Sequence, residues 1–80
     1  MQRPHSIDPQ VFLEVLQLAG CRLGPIGGVV RSVHNPEGEG YWAIVRMGEP
    51  TITRTIEAHL RNLHISEERF LRWFAHYASR

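Results

Sequence analysis

In "DPQVFLEVLQLAG" the apolar residues Val11, Phe12, Val15, Leu16 and Ala19 recur at the spacing that gathers side chains on one face of a helix. Asp8 stands where a cap belongs, Pro9 at the first helical position, and Gly20 just after the last apolar residue, so the punctuation agrees with the period. The next eight residues, "CRLGPIGG", hold three glycines and a proline and predict a segment without sustained regular structure. From Val29 the period shortens to two. In "VVRSVHN" alternation puts Val30, Ser32 and His34 on one face and Val29, Arg31 and Val33 on the other. "NPEGEG" is a turn cluster, and "YWAIVRM" supplies a second strand with Tyr41, Ala43, Val45 and Met47 on one side and Trp42, Ile44 and Arg46 on the other.

The helical period returns in "TITRTIEAHLRNL" through Ile52, Ile56, Leu60 and Leu63, with Thr51 or Thr53 as the expected cap. A further helix follows in "HISEERFLRWFAHY". Ser66 caps it, Glu67 and Glu68 occupy the first turn where the helix dipole favours negative charge, and Ile65 is placed to staple onto Phe70. The predicted architecture is α+β: a small antiparallel sheet of two or three strands packed by helices, in the order α-β-β-(β)-α-α. Residues 1–7 are polar and predicted to be a flexible N-terminus, leaving 8–80 as one domain, and an 80-residue chain has room for only one modest core.

Composition adds little against this picture. An apolar fraction of 42% with 21% charged residues belongs to an ordinary globular chain. The single cysteine, Cys21, gives no disulfide framework, and no apolar run is long enough to span a bilayer, so a cytoplasmic protein without membrane contact is expected. Charge changes the picture more. The formal net charge is only +1, yet all nine basic residues are arginine, five of them from Arg54 onward beside His59, His64 and His76. Arginine without lysine follows from codon usage in a GC-rich genome, or serves bidentate recognition of phosphate or carboxylate.

Several of these pieces fall in register with a known family. "LAG" at Leu18 to Gly20, "IGG" at Ile26 to Gly28 and "TIEAHLRNLHISEERFL" at Thr55 to Leu71 resemble the HicA-like family, the toxins of HicA–HicB toxin–antitoxin pairs. The resemblance runs over roughly residues 11 to 71 and implies a double-stranded-RNA-binding-domain-like (dsRBD-like) fold, in a family whose members cleave mRNA. The departure lies at the chemistry. Where the family carries Gly-Ser-His, this chain has Gly28, Val29 and Val30, and a valine has no proton to exchange. His34 shares a strand face with Val30 but stands four residues along, about 13 Å at ~3.3 Å per residue. Catalytic groups tolerate displacements nearer ~1 Å.

Other constellations were weighed on their residue types. Cys21, His34, His59 and His64 include potential zinc ligands, but the five-residue step from His59 to His64 does not align two rings on a helix, and no motif calls for a metal or a cofactor. The two C-terminal helices resemble half of a helix-turn-helix, yet the second begins Ser66-Glu67-Glu68, which DNA phosphates repel. Glu57 with Arg61 and Glu68 with Arg72 are spaced as i, i+4 ion pairs. The residues predicted to form a binding surface are Arg31, Arg46, Arg54, Arg69, Arg72, Trp73 and Tyr77. The sequence thus predicts a non-catalytic binding protein on a HicA-like scaffold, of a size that suits a phage- or plasmid-borne inhibitor. Its partner is expected to be a protein or a protein–RNA complex, with RNA alone also open and dimerisation through the aromatic C-terminal helix. A toxin ribonuclease using His34 and a small DNA-binding regulator are the alternatives.

Overall fold

In the computed structural model, which describes residues 5–80, the first helix is built as its punctuation predicts. Helix α1 spans Pro9–Leu18, with the Asp8 carboxylate accepting the Gln10 N–H at 2.9 Å. Phe12, Leu13, Val15 and Leu16 are fully buried along it. Three antiparallel strands follow, β2 (Arg22–Gly27), β3 (Val30–His34) and β4 (Trp42–Arg46), in the spatial order β2-β3-β4. A two-residue turn joins β2 to β3. Gly28 holds its first central position at φ +63°, a backbone conformation that a glycine adopts without strain.

Strand β2 corrects the expectation that 21–28 is irregular. Its pairing with β3 shifts register between Leu23 and Ile26, and this bulge absorbs the proline and glycine that the sequence pattern reads as breakers. Alternation on β3 and β4 is as expected: Val33, Ala43 and Val45 are buried, while His34, Trp42, Ile44 and Arg46 face outward.

The N-terminal expectation also changes. Ser6–Ile7 forms a short strand, β1, paired antiparallel with Thr51–Ile52, which is β5. Ile7 joins the core, and burial of a side chain of its size, worth about 1.5–3 kcal/mol, together with the β1–β5 pairing offsets the order that the segment gives up. The flexible stretch expected over 1–7 therefore does not reach Ser6 and Ile7, and residues 1–4 lie outside the described residues. Because Thr51 is committed to β5 and buried there, helix α2 (Thr53–Leu63) starts after Ile52 with no side-chain cap. Neither threonine caps it. The Thr53 hydroxyl instead donates to the His5 carbonyl at 2.8 Å.

Helix α2 ends at His64, in the left-handed region at φ 55°, and the Ile65 N–H returns to the Leu60 carbonyl. Ser66 then caps helix α3 (Glu67–Ala78) by accepting the Arg69 N–H at 3.1 Å. Helix α3 packs on α1, where Phe12 meets Phe70 edge-to-face at 5.5 Å between ring centres, and α2 packs chiefly on β4 through Ile56, Leu60 and Leu63. The result is the α+β arrangement expected, with the helices gathered on one face of a three-stranded antiparallel sheet and the other face open.

Candidate interaction surface

The open sheet face is assembled from pairs that antiparallel register sets side by side: Val30 with Arg46, Ser32 with Ile44, and His34 with Trp42. Their main chains do not bond one another, which brings their side chains closest. The His34 ring lies along Trp42, 6.4 Å between ring centres and 28° from parallel. Gly24 of β2 completes the face, because a Cβ there would lie 1.9 Å from Ser32 Oγ. Trp42 is 48% and Ile44 43% exposed, and Ile52 beyond them is 55% exposed. Val29 and Ile26 are more exposed still at the β2–β3 turn. The apolar surface that this chain leaves in water is thus on and beside the sheet.

Two clefts run along β4, and both are lined by Ile44 and His59. One, of about 460 Å³, extends past Arg46 to Ile52 and Thr55; the other, about 700 Å³, extends past Trp42 to Asn62 and His64. Sharing those two residues, they form one trough with β4 as one wall and α2 as the other. Thr55, His59 and Asn62 stand at i, i+4 and i+7 and so form a single stripe along the helix wall. Burial pushes the His59 imidazole below the ordinary histidine pKa, favouring the neutral ring. The trough's ends are fixed by contacts the sequence did not reveal. At one end Asn35 Nδ2 donates to the Leu63 carbonyl at 2.9 Å, its Oδ1 accepts the Glu37 N–H at 3.0 Å, and Tyr41 stacks on His64 at 3.7 Å between ring centres. At the other, the exposed Arg46 and Glu49 face each other at 3.4 Å.

The residues selected from sequence do not converge on one surface. Arg46 lies on the trough, and Arg54 is exposed on the first turn of α2. Arg31 is half-buried and its Nε donates to the Gly24 carbonyl at 3.2 Å. Arg69 donates to the Ala19 carbonyl at the end of α1 and faces Glu37 at 3.8 Å. Arg72 faces Glu68 at 3.6 Å, the i, i+4 pair expected. Trp73 and Tyr77 are half-buried against the core, and the Tyr77 hydroxyl donates to Glu14 Oε2 at 2.7 Å. Cys21 is buried, which pushes its thiol up to about 11 and leaves it protonated at neutral pH. Among the described residues no three His, Cys, Asp or Glu side chains gather as a metal site requires. Ile44, Ile52, Thr55 and Asn62 were missed. The signal that marks Thr55 and Asn62 is a polar residue at helical spacing beside the Ile56–Leu60–Leu63 core stripe, whereas Ile52, expected within that stripe, is on β5 and exposed.

No helix among the described residues is long and apolar enough to cross a membrane. Compared with known proteins, the chain matches no family model, no curated protein and no solved structure. Its class is therefore defined by architecture alone: an α+β domain with one helical face and one exposed sheet face.

Proposed function

We propose that this chain is a non-catalytic protein-binding domain on a HicA-like scaffold, whose working surface is the open sheet face together with the trough beside it. The observation that carries this reading is the contiguous exposure of Trp42 and Ile44, with Ile52 close by along the trough. Large apolar side chains grouped in water, rimmed by polar ones, mark association sites. Protein is favoured over RNA by what the arginines do. Arg31, Arg69 and Arg72 are engaged within the fold on three different elements, so no basic stripe lies across the sheet for a phosphate chain to follow. A catalytic part for His34 is disfavoured because its ring lies along Trp42, and the strand position matching the family's histidine is Val30.

The test is capture from a lysate of the source organism on immobilised chain, with and without ribonuclease, repeated with Trp42→Ser. A partner that survives ribonuclease and is lost with Trp42→Ser supports the reading. Capture unaffected by the substitution overturns it. Growth arrest on expression, relieved by His34→Ala, also overturns it in favour of the ribonuclease.

A further inference from the structure

The two edges of the three-stranded sheet are built differently. Edge strand β2 carries Pro25 and a bulge, two devices that prevent another strand from pairing with it. Edge strand β4 has neither. Its register with β3 runs without a break from Trp42 to Arg46.

The direction of β4's main-chain groups follows from two flanking bonds. The Asn35 N–H donates to the Tyr41 carbonyl at 2.8 Å, and the Met47 N–H to the Val29 carbonyl at 2.7 Å. Antiparallel pairs alternate between bonded and unbonded, so Ala43 and Val45, like the Tyr41 C=O and the Met47 N–H, turn their main-chain groups toward β3. Trp42, Ile44 and Arg46 turn theirs away, to the open edge. There the trough begins, and α2 forms its far wall.

We infer that the trough is a strand-addition site, in which an extended acidic segment of a partner protein pairs with the open edge of β4 and lies against the Thr55–His59–Asn62 stripe of α2. This rests on the protein-binding reading above and specifies how the partner is held. Strand addition draws affinity from main-chain hydrogen bonds and specificity from the side-chain pockets on either side. The length fits: five residues of β4 extend about 17 Å at ~3.4 Å each, which one short segment spans.

Charge selects the partner's composition. Arg46 and Arg61 line the trough, against the single carboxylate of Glu49 that faces Arg46, and the positive end of the α2 dipole lies at the Ile52–Thr55 end. A segment bearing glutamate or aspartate meets a guanidinium toward either end, Arg46 at one and Arg61 at the other. Its alternate apolar side chains fall beside Trp42 and Ile44.

A second copy of this chain fits less well. Paired strands lie about 4.8 Å apart, whereas packed helices need about 8–10 Å. Because α2 packs chiefly on β4, pairing two copies edge to edge forces their α2 helices into the same space.

The probe is an acetylated, amidated peptide of alternating glutamate and valine, long enough to run the length of β4. Binding is followed by amide chemical shifts of the labelled chain and by calorimetry. Expected are shifts centred on Trp42, Ile44, Arg46 and the α2 stripe. Ile44→Pro removes the outward-facing donor together with the Ile44 side chain while sparing the bonds to β3, and it is expected to weaken binding roughly tenfold, more than Ile44→Ala, which keeps the donor. Arg46→Glu is expected to weaken it as well, and a lysine–valine peptide is expected not to bind. The same peptide N-methylated on the edge that faces β4 is expected to lose binding to the unaltered chain, a result independent of how any variant folds. No binding of the acidic peptide, or equal binding of the methylated one, overturns the inference. So does a dimer in sedimentation that Ile44→Pro dissolves, which assigns the edge to a second copy. If Trp42→Ser abolishes partner capture while Ile44→Pro and the methylated peptide change nothing, the protein-binding reading stands and strand addition falls.

Discussion

Strands β2 and β4 flank the same central strand, yet one edge is guarded and the other is open. On β2, Gly24 and Pro25 break the ladder, and the missing Cβ of Gly24 makes room for Ser32 Oγ. On β4, an unbroken Trp-Ala-Ile-Val-Arg run turns every second main-chain group outward beside a polar helix stripe. An exposed regular edge invites aggregation unless it is covered or used. The guarding of β2 shows that this fold can close an edge, so the open β4 is read as a working edge.

The strongest way to break this comparison is proline at neighbouring β4 positions. Val45 is fully buried and its N–H faces β3, so Val45→Pro removes a ladder bond and core volume together. It should cost more than about 3 kcal/mol and abolish a cooperative urea transition. Ile44→Pro should keep that transition; if the two variants unfold alike, the assignment of inward and outward groups is wrong.

On the guarded side, Gly24→Ala drives a methyl to 1.9 Å from Ser32 Oγ and 3.3 Å from its Cβ. Urea denaturation should show a loss of roughly 1–3 kcal/mol, because turning the Ser32 hydroxyl away relieves the closest contact but leaves the approach to its Cβ. Combining it with Ser32→Ala should restore most of that loss, since the closest atom is then gone; no recovery would mean that the two strands do not meet as described.

Asn35→Ala sharpens the comparison at the closed end of the trough. Two hydrogen bonds are lost, and the Leu63 carbonyl is left without its side-chain donor. A destabilisation of about 2 kcal/mol is expected, with faster amide exchange across the β3–β4 turn than at the β2–β3 turn.

The smallest effect is the pH dependence set in the trough. Burial lowers the His59 pKa in the folded chain, so as pH falls below about 6.5 the unfolded chain takes up this proton first. Stability should therefore decline on acidification through that window. His59→Gln should flatten the decline in melts recorded at successive pH values; an unchanged slope would remove His59 as its source.

Much of this architecture was legible in the chain. The Asp8 and Ser66 caps, the α1 core face and the inward placement of Val33, Ala43 and Val45 all follow from local periods and short-range hydrogen bonding. Where the reading failed, a distant partner intervened. Ser6 and Ile7 become a strand only because Thr51 and Ile52 come alongside, and that pairing also removes Thr51 as a helix cap. The breakers in β2 were legible, but the bulge that accommodates them depends on β3. The arginines and C-terminal aromatics chosen as candidates are types that binding surfaces favour. Residue type does not reveal that Arg69 reaches the end of α1, or that Tyr77 meets Glu14.

By itself the sequence determined the three helices, strands β3 and β4 and which faces of those two strands are apolar, because a period of 3.6 or two is a property of neighbours along the chain. Only the tertiary structure decided that β4 is an edge, that its even-numbered residues turn their main-chain groups outward, and that α2 stands across from them. Those facts depend on which segments lie side by side. Alternation tells one face of a strand from the other, but it is silent about what lies at either edge.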